Sequence, residues 1–234
     1  MGLRIESMRV VLAGNVVLRD VTIDLPEGET IAVVGCNGAG KTTLLRSIMG
    51  LVKPAAGRLL LDGRDLVDEP AHLRAAAGFG YAPEDRVIFP TLTVAQNIAL
   101  PCEVQRVSRR EIAQRVEAVL AAMPQLEPML PRSGAALSGG QGKMVALARA
   151  LMVGTRYVLL DEPFQGLAPV LARQYGDALR ALRQTHPRLC VVVTESNASL
   201  LDGVQSLTLF IERGYVTADR ACAGHGRETS GENE

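Results

Sequence analysis

The chain contains no tryptophan, and aromatic residues make up only 3% of its 234 residues. Because 47% of the residues are nevertheless apolar, a core must be built mainly from leucine, valine, isoleucine and alanine. The four cysteines, Cys36, Cys102, Cys190 and Cys222, lie far apart and form no CxxC pair. This spacing argues against a zinc site and a disulfide framework, and it is typical of a protein in a reducing cytosol.

Net charge and long hydrophobic runs are also missing. Lys+Arg and Asp+Glu number 25 each, and such a balanced surface gives no support for salt-driven binding to nucleic acid. No apolar run approaches the ~20 residues that cross a bilayer. The first residues lack a basic stretch followed by an apolar one, so we expect no secretion signal. We therefore expect a soluble protein that needs partners for any role at a membrane.

The order of the apolar segments predicts an α/β fold with a mostly parallel, covered sheet. Alternating apolar positions predict an antiparallel pair of strands near the N-terminus, over residues 4–13 and 15–25. Further on, strand patterns alternate with helix patterns, which is the arrangement of parallel sheets covered by helices. The predicted strands of this part are 30–35, 58–63, 156–161 and 189–195, and the predicted helices are 42–51, 141–152 and 169–184.

The middle of the chain has a different character. From about Leu92 to Pro131 the apolar spacing is helical and offers no strand candidate. We therefore expect a helical subdomain, about residues 92–152, inserted into the sheet-containing core. Residues 1–222 are predicted to form one domain. The polar, glycine-rich end at 223–234 is predicted to be a disordered tail.

One loop has the pattern of a phosphate-binding site. It matches G-x-x-x-x-G-K-[ST] between a predicted strand and a predicted helix, which is the context that this motif requires. Glycines let backbone N–H groups converge on phosphate oxygens, and the helix N-terminus favours negative charge. Lys41 would reach the β- and γ-phosphates, and the Thr42 hydroxyl would bind Mg²⁺. The candidate residues for binding ATP are Gly35, Cys36, Asn37, Gly38, Ala39, Gly40, Lys41, Thr42 and Thr43.

Two acidic residues follow a buried strand. The apolar segment at 157–160 leads directly into Asp161 and Glu162, and ligands of parallel sheets bind at this carboxyl edge. Asp161 suits a role at Mg²⁺, and Glu162 could polarise an attacking water. The alternative is a solvated turn after the strand. With a phosphate loop in the same chain, the catalytic interpretation is the stronger one.

A second glycine site opens a later helix. Ser138, Gly139, Gly140 and Gln141 stand at its start, where backbone N–H groups could face an anion. A plain serine-capped helix start is the alternative. The segment at 137–141 reads LSGGQ, and it lies between the phosphate loop and VLLDEP. In this order the motifs resemble the nucleotide-binding domains of ATP-binding-cassette (ABC) transporters, over about residues 3 to 217.

The resemblance implies a specific fold and assembly. The fold would be a P-loop NTPase core with an N-terminal antiparallel β subdomain and a helical insertion. The signature residues of one subunit would complete the ATP site of another, so two ATP molecules lie in a head-to-tail dimer. It implies ATP and Mg²⁺ as cofactors, integral membrane permease subunits as partners, and a place on the cytoplasmic face of the plasma membrane. No nucleic acid is implied.

A finer resemblance concerns YAPEDR, IFPTLTV and GLAP, which look like the ATPase subunits of branched-chain amino-acid uptake systems. There a glutamate replaces the usual glutamine that approaches the metal, as Glu84 does here. Import would imply an extracytoplasmic substrate-binding protein. Such relatives commonly pair two different ATPases, so a paralogue is the expected partner, with a second copy of this chain as the alternative.

Three positions depart from the family pattern. Ala13 stands where an aromatic residue usually stacks on adenine, so ATP would be held mainly by its phosphates. Ser196 stands at the position of the switch histidine, where we expect it to act with less reach and no charge. Phe164 follows Asp161-Glu162-Pro163, where a small polar residue is usual. Ala13 and Ser196 keep open the alternative of a regulatory subunit with weak hydrolysis. A non-transport ABC ATPase that acts on DNA or the ribosome is a further alternative, but such proteins generally carry a long coiled coil, a second cassette or basic extensions, which this sequence does not show.

Overall fold

The computed structural model describes residues 2–85 and 88–218. Its strands are β1 (Gly2–Leu12), β2 (Asn15–Pro26), β3 (Thr30–Val34), β4 (Ala56–Leu61), β5 (Arg64–Asp65), β6 (Phe79–Ala82), β7 (Tyr157–Asp161), β8 (Cys190–Glu195), β9 (Leu207–Glu212) and β10 (Tyr215–Ala218). Its α-helices are α1 (Lys41–Met49), α2 (Ala71–Ala76), α3 (Val94–Val104), α4 (Arg109–Ala122), α5 (Gly139–Val153) and α6 (Pro169–Thr185). Short 3₁₀ helices span Pro124–Met129, Gly134–Ala136 and Ala198–Leu201.

The N-terminal strands form an antiparallel sheet in the order β2-β1-β4-β5. β1 and β2 are joined by a two-residue turn in which Ala13 and Gly14 both have positive φ, 47° and 81°. This backbone twist matches that of the flanking strands in a hairpin. The predicted alternation holds on each side of an irregularity between Ile5 and Met8, so Leu3 and Ile5 before it and Met8 and Val10 after it are buried.

The second sheet has six strands in the order β10-β9-β3-β8-β7-β6. All neighbouring pairs are parallel except β10 with β9. Every residue of β3, β7 and β8 is buried, as expected for central strands covered on both faces. The carboxyl ends of β3, β7 and β8 therefore meet at one edge.

Each face of the parallel sheet packs into its own core. Ile31 and Val33 of β3 join α1 and the antiparallel sheet in one cluster. Ala32 and Val34 join α5, α6 and the inserted helices in the other. The parallel sheet thus separates two cores. Packing on both of its faces holds the strand ends, and the loops that follow them, in place.

The insertion is tied to the loop after β6 by one buried amide. The Asn97 side chain of α3 accepts a hydrogen bond from the Phe89 amide at 2.9 Å and donates to the carbonyl of Phe89 at 3.0 Å. It also donates to the Leu92 and Thr93 carbonyls. These bonds satisfy loop groups that would otherwise be buried without partners.

Most predicted elements are confirmed, and five are missed. The long strands and helices occupy the predicted segments to within two residues at each end. The sequence patterns did not predict α2, β5, β6, β9 or β10. The single domain over 1–222 with its subdomain at 92–152 stays a prediction, and the predicted tail at 223–234 lies outside the described residues. No helix in the described ranges is long and apolar enough to cross a membrane.

Candidate functional site

The phosphate loop connects the end of β3 to α1, and its shape depends on glycine. Gly40 has a φ of 113°, and a Cβ there would lie 2.9 Å from Leu18 Cδ2. A Cβ on Gly35 would lie 2.2 Å from the Ile211 carbonyl oxygen. Only residues without a side chain allow this left-handed turn and this close backbone approach. The loop tip, Cys36 to Gly38, is exposed.

The Lys41 side chain folds back into the loop that precedes it. Its amine donates to the carbonyls of Gly35 at 2.6 Å and Cys36 at 3.1 Å, and it lies 3.0 Å from Glu162 Oε1. Only 4% of the residue is exposed. A buried ammonium is tolerated because it is paired and hydrogen-bonded. The loop, the lysine and the acid after β7 therefore form one polar cluster.

This cluster lines a cavity of about 360 Å³, which lies at the lower end of the size range of small-molecule sites. The α1 N-terminus opens into it, and no acidic residue stands in the first turn of that helix. Free N–H groups and the helix dipole therefore favour an anionic ligand. The lining residues are Val17, Asn37, Gly38, Gly40, Lys41, Thr42, Thr43, Glu84, Glu162 and Gln165.

Asp161 ends β7 as a buried carboxylate surrounded by hydroxyl groups. It accepts hydrogen bonds from Thr42 Oγ1 at 3.2 Å, Thr194 Oγ1 at 2.8 Å and the Tyr81 hydroxyl at 3.2 Å. Burial and the neighbouring Asp161 raise the pKa of Tyr81, so its hydroxyl stays protonated and donates. Thr42 and Asp161 thus place two oxygen ligands of the kind that Mg²⁺ prefers side by side. Glu84 lines the same cavity and is exposed.

This ligand set fits Mg²⁺ better than a metal that is held by protein alone. No group of three or more His, Cys, Asp or Glu side chains suited to a metal occurs in the part of the chain that the structure describes. Mg²⁺ is commonly held by one or two carboxylates together with phosphate oxygens and water. A hydroxyl, one carboxylate and a cavity for phosphates meet that requirement.

Glu162 adopts a conformation that is rare for a residue with a side chain. Its φ is 44°, a left-handed value that costs on the order of 1–3 kcal/mol and persists only where the surroundings impose it. The Glu162 amide donates to Thr194 O and Oγ1, both at 3.1 Å. Its Oε1 pairs with Lys41, and Oε2 has no hydrogen-bond partner among the described residues. This oxygen is thus buried without a hydrogen-bond donor, which is rare in proteins and marks a group whose partner comes from outside the chain.

Two further charged residues lie behind Glu162, and sequence reasoning missed both. Glu195 ends β8 and is fully buried, and its Oε1 accepts a hydrogen bond from the Phe164 amide at 2.8 Å. Burial raises the pKa of Glu195 to about 7. Lys143 of α5 donates to the carbonyls of Glu162 and Gln165, both at 2.7 Å. Their one sequence signal is a charge inside otherwise apolar segments.

The second glycine site lies apart from this cavity. Ser138 caps α5, and its Oγ accepts from the Gln141 amide at 3.3 Å while Gln141 Oε1 accepts from the Ser138 amide at 3.0 Å. Ser138 and Gly139 are exposed and line a separate cavity of about 200 Å³, beside Asp85. Ser138, Gly139, Gly140 and Gln141 are absent from the lining of the Lys41 cavity. The predicted ATP-binding residues are therefore divided between two places on the chain.

The three residues that depart from the family pattern differ in their exposure and contacts. Ala13 is exposed in the β1–β2 turn, and Ser196 is exposed directly after β8. Neither residue lines the Lys41 cavity. Phe164 is buried, with its ring edge-on to Tyr175 at 5.2 Å between centroids. The aromatic residue after Pro163 is thus accommodated by packing against α6.

Comparisons with known proteins identify the family of this chain. The family model described as "ABC transporter" matches residues 18–165. The chain is 35% identical over 205 residues to the lipopolysaccharide export system ATP-binding protein LptB of Acidithiobacillus ferridurans, covering 88% of this chain and 81% of that protein. It is also 35% identical over 181 residues to a probable branched-chain amino acid transport ATP-binding protein, LivF, of Archaeoglobus fulgidus, covering 77% and 75%.

A solved structure shares the fold. The dimeric bacterial ABC transporter cassette MJ0796 superposes with a TM-score of 0.80 at 24% identity, over 92% of this chain and 96% of that one. The matched family model includes both the phosphate loop and the Asp161–Glu162 pair. The chain belongs to the ABC transporter family and is one of its ATP-binding cassettes, an ABC-type ATPase with the predicted α/β fold.

Proposed function

We propose that this chain hydrolyses ATP as one cassette of a two-cassette transporter and that Glu162 is the general base. The observation that carries the proposal is the cavity that Lys41, Thr42 and Glu162 line, with Asp161 hydrogen-bonded to Thr42 behind it. Glu162 lines this cavity in a strained conformation, and its buried Oε2 has no hydrogen-bond partner among the described residues. A general base must reach the proton that it accepts, and this oxygen has no protein group to compete for it among the described residues.

Binding of ATP would change the partners of Lys41. Its amine is held by two carbonyls and by Glu162, and a phosphate would replace that carboxylate with a more highly charged acceptor. The amides at the start of α1 would bind the same phosphates. Thr42, Asp161 and Glu84 would hold Mg²⁺, which would neutralise charge on the phosphates. Release from Lys41 would leave Glu162 free to orient water.

The second cassette is needed because one chain holds only part of the site. Ser138 and Gly139 are exposed and Gly140 is half-buried, and none of the three lines the Lys41 cavity. In a head-to-tail pair, these residues of one cassette would contact the terminal phosphate held by the other. A paralogue is the proposed partner, with a second copy of this chain as the alternative.

A third surface suits a membrane subunit. A largely apolar cavity of about 300 Å³ lies between the parallel sheet and the inserted helices, and it includes Leu51, Tyr81, Pro101 and Arg149. Leu51, which lines this cavity, is 51% exposed. Phe89, whose ring lies 5.2 Å from the Arg149 guanidinium, is 40% exposed. Such a groove can accept a short helix of a permease. The chain would then lie at the cytoplasmic face of the membrane.

The proposed substrate is a branched-chain or related hydrophobic amino acid, taken up with an extracytoplasmic binding protein. Support comes from the GLAP and YAPEDR segments and from the likeness to LivF. The equally similar LptB belongs to a lipopolysaccharide export system. Transport assays on the complete complex, with labelled leucine and a polar amino acid as control, would test this substrate. Uptake of neither would contradict it.

A regulatory subunit with weak hydrolysis is the second candidate. It is favoured by the exposed Ser196 at the switch position and by Ala13, which offers no ring for adenine. Steady-state ATPase assays on the purified complex distinguish the two, with Glu162→Gln as the comparison. The main proposal expects turnover that this substitution removes. Turnover that is unaffected by Glu162→Gln would contradict it.

A further inference from the structure

Only three lysines occur in the chain, Lys41, Lys53 and Lys143, and two of them lie at the end of β7. Lys53 is an exposed residue paired with Asp68. Lys143, the fifth residue of α5, is only 9% exposed. Burying an ammonium is costly unless it is fully hydrogen-bonded. A buried lysine beside the proposed base therefore calls for a reason.

Lys143 holds both ends of the turn that carries the base. Its amine donates to the Glu162 and Gln165 carbonyls, both at 2.7 Å. The Gln165 amide also bonds back to the Glu162 carbonyl at 3.3 Å. Glu162 is the strained residue of this turn, and Gln165 lines the nucleotide cavity. The ammonium thus bridges the base to a second lining residue.

The remaining groups of the turn are fixed from β8. Thr194 accepts the Glu162 amide, and the buried Glu195 accepts the Phe164 amide. The turn is therefore held by a rigid strand on one side and by a single side chain of α5 on the other. Because a left-handed residue keeps its conformation only when its surroundings impose it, loss of either side should release Glu162.

We propose that Lys143 is a positioning residue that holds Glu162 in its strained conformation and connects it to the signature segment at the start of the same helix. Ser138 caps α5 five residues before Lys143, about one and a half helical turns away. A hydrogen-bonded helix moves as a stiff unit over this length. A shift of its first turn, caused by a partner's nucleotide, would therefore move the ammonium and the carbonyls that it holds.

This inference rests on the proposed role of Glu162 as base. It adds that a nucleotide bound to the signature segment of α5 would affect the base of the same cassette through Lys143. The signature of one cassette would serve the partner's ATP, while Lys143 serves the base of its own cassette. Occupation of one nucleotide site would then adjust the turnover at the other. Such coupling has a kinetic signature, because it gives a Hill coefficient above one for ATP.

The test compares three variants in the purified full-length chain with its transporter partners. Lys143→Met keeps a long side chain but cannot donate. Lys143→Gln restores an uncharged N–H₂ donor on a side chain one bond shorter, and Lys53→Met is the matched control on an exposed lysine. For each variant we would measure kcat, the Hill coefficient, the affinity for a fluorescent ATP analogue, and the melting temperature.

Lys143→Met should lower kcat about 10- to 100-fold, since displacement of a catalytic group by about 1 Å costs this much. ATP affinity should change less than twofold, and the Hill coefficient should fall to one. Lys143→Gln should recover at least part of kcat, and Lys53→Met should match wild type. A kcat for Lys143→Met within twofold of wild type would overturn the inference. So would equal losses in ATP affinity and kcat, because these would indicate a merely structural lysine.

Two controls keep the outcomes separable. The fraction of each preparation that binds the ATP analogue corrects kcat for misfolded protein, so a destabilised Lys143→Met still gives a result. Glu162→Gln is assayed in parallel. If Glu162→Gln abolishes turnover while Lys143→Met leaves it intact, the inference about Lys143 fails and the proposed function stands. If Glu162→Gln turns over ATP normally, the proposed function itself fails.

Discussion

Two helices of this chain begin with glycine-rich segments, and only one of them carries the chemistry of a binding site. α1 begins after Gly40, and its first residue is a buried lysine beside Glu162. α5 begins after Ser138, which is exposed and forms a capping box with Gln141. Both offer the positive end of a helix dipole. The first adds buried ionic groups and a cavity of about 360 Å³, whereas the second adds a smaller cavity of about 200 Å³ whose described lining residues include no basic side chain.

This difference leads us to expect that the start of α1 provides the affinity for nucleotide, whereas the start of α5 completes the site of a second cassette. An anion at α1 gains a charged partner in a partly enclosed cavity, where electrostatic interactions are strong. An anion at α5 gains only backbone amides and one hydroxyl in contact with solvent. The α1 site should therefore bind nucleotide by itself. The α5 site should matter only when a second cassette presents a phosphate to it.

The largest effect should come from Glu162→Gln. The amide keeps the shape of the side chain but cannot accept a proton from water, so kcat should fall about 10³-fold, within the range of general base catalysis. Binding of an ATP analogue should remain, since the Lys41 amine and the loop amides are intact. Steady-state turnover and equilibrium binding measure the two quantities. A parallel loss of both would mean that Glu162 serves binding instead of catalysis.

Lys41→Ala should remove the affinity of the α1 site. It deletes charge-assisted hydrogen bonds to phosphate, and we expect ATP affinity to fall about 100-fold or more. It also leaves the Glu162 carboxylate buried without its partner, so the melting temperature should drop. Fluorescent nucleotide binding and thermal unfolding check both parts. Unchanged affinity would contradict the assignment of the phosphate loop, and Lys53→Ala provides the exposed-lysine control.

Ser138→Ala should reveal the different nature of the α5 site. Loss of the cap costs about 1 kcal/mol of helix stability. Turnover by the assembled cassettes should fall about tenfold, because a hydrogen bond to a phosphate is lost. Nucleotide binding by the single chain should not change.

Ser108→Ala is the matched control for this prediction, since Ser108 caps α4 in the same way. It should cost similar stability and no turnover. Equal losses of activity in the two variants would show that Ser138 is only a helix cap.

The buried Glu195 predicts a pH-dependent contribution to stability. Its folded pKa of about 7 lies above its ordinary value, so its contribution is fully present below the unfolded pKa and is lost as pH rises through 7. Glu195→Gln retains an oxygen that can accept the Phe164 amide and removes this loss. We expect the free energy of unfolding of the variant, relative to that of wild type, to rise by about 1 kcal/mol or more when the pH is raised from 5 to 8. Denaturant unfolding at both values measures this difference.

Glu27 should behave in the opposite sense. Hydrogen bonds from Arg156 and Arg188 lower the pKa of Glu27. Its contribution is therefore present above the unfolded pKa and is lost as pH falls through the folded value. Glu27→Gln should be less stable than wild type near pH 7 and similar to it in acid. The same sign for both variants would contradict the pKa assignments.

The smallest effect should come from Cys36→Ser. Cys36 is exposed at the loop tip, and its backbone carbonyl, which any residue supplies, accepts from Lys41. ATP affinity and kcat should change less than about twofold. Treatment of wild type with a bulky thiol reagent should nevertheless block nucleotide binding, because the modified side chain would stand beside the cavity. Full protection from the reagent by bound ATP would support this placement.

The sequence identified the parts of the site that are local in the chain. Lys41 and Thr42 stand inside one continuous motif, and Asp161 and Glu162 end an apolar strand, so short-range patterns predict them. Lys143 and Glu195 act through bonds to residues 19 to 31 positions away, and no local pattern shows such contacts. The α5 signature needed the family resemblance, because a capped helix start has the same appearance.

The elements that were missed have particular causes. β6 contains Gly80, which weakens strand propensity, and a Cβ there would lie 2.0 Å from the Ala150 carbonyl oxygen. Close packing of β6 against α5 therefore requires a glycine at position 80, and this same glycine makes β6 hard to recognise as a strand in the sequence. β9 and β10 are rich in residues that favour strands and are joined by a turn at Arg213-Gly214, so this hairpin could have been predicted from the sequence. α2 is only six residues long, too short for a periodic signal.

Turnover per chain as a function of protein concentration tests the division between the two helix starts most directly. ATP analogue binding is measured on the same samples, with and without partner subunits. The account predicts that binding per chain is constant, while turnover per chain rises with concentration or on addition of the partner and is suppressed in Ser138→Ala. Turnover that stays constant over a hundredfold dilution and is indifferent to Ser138→Ala would contradict it.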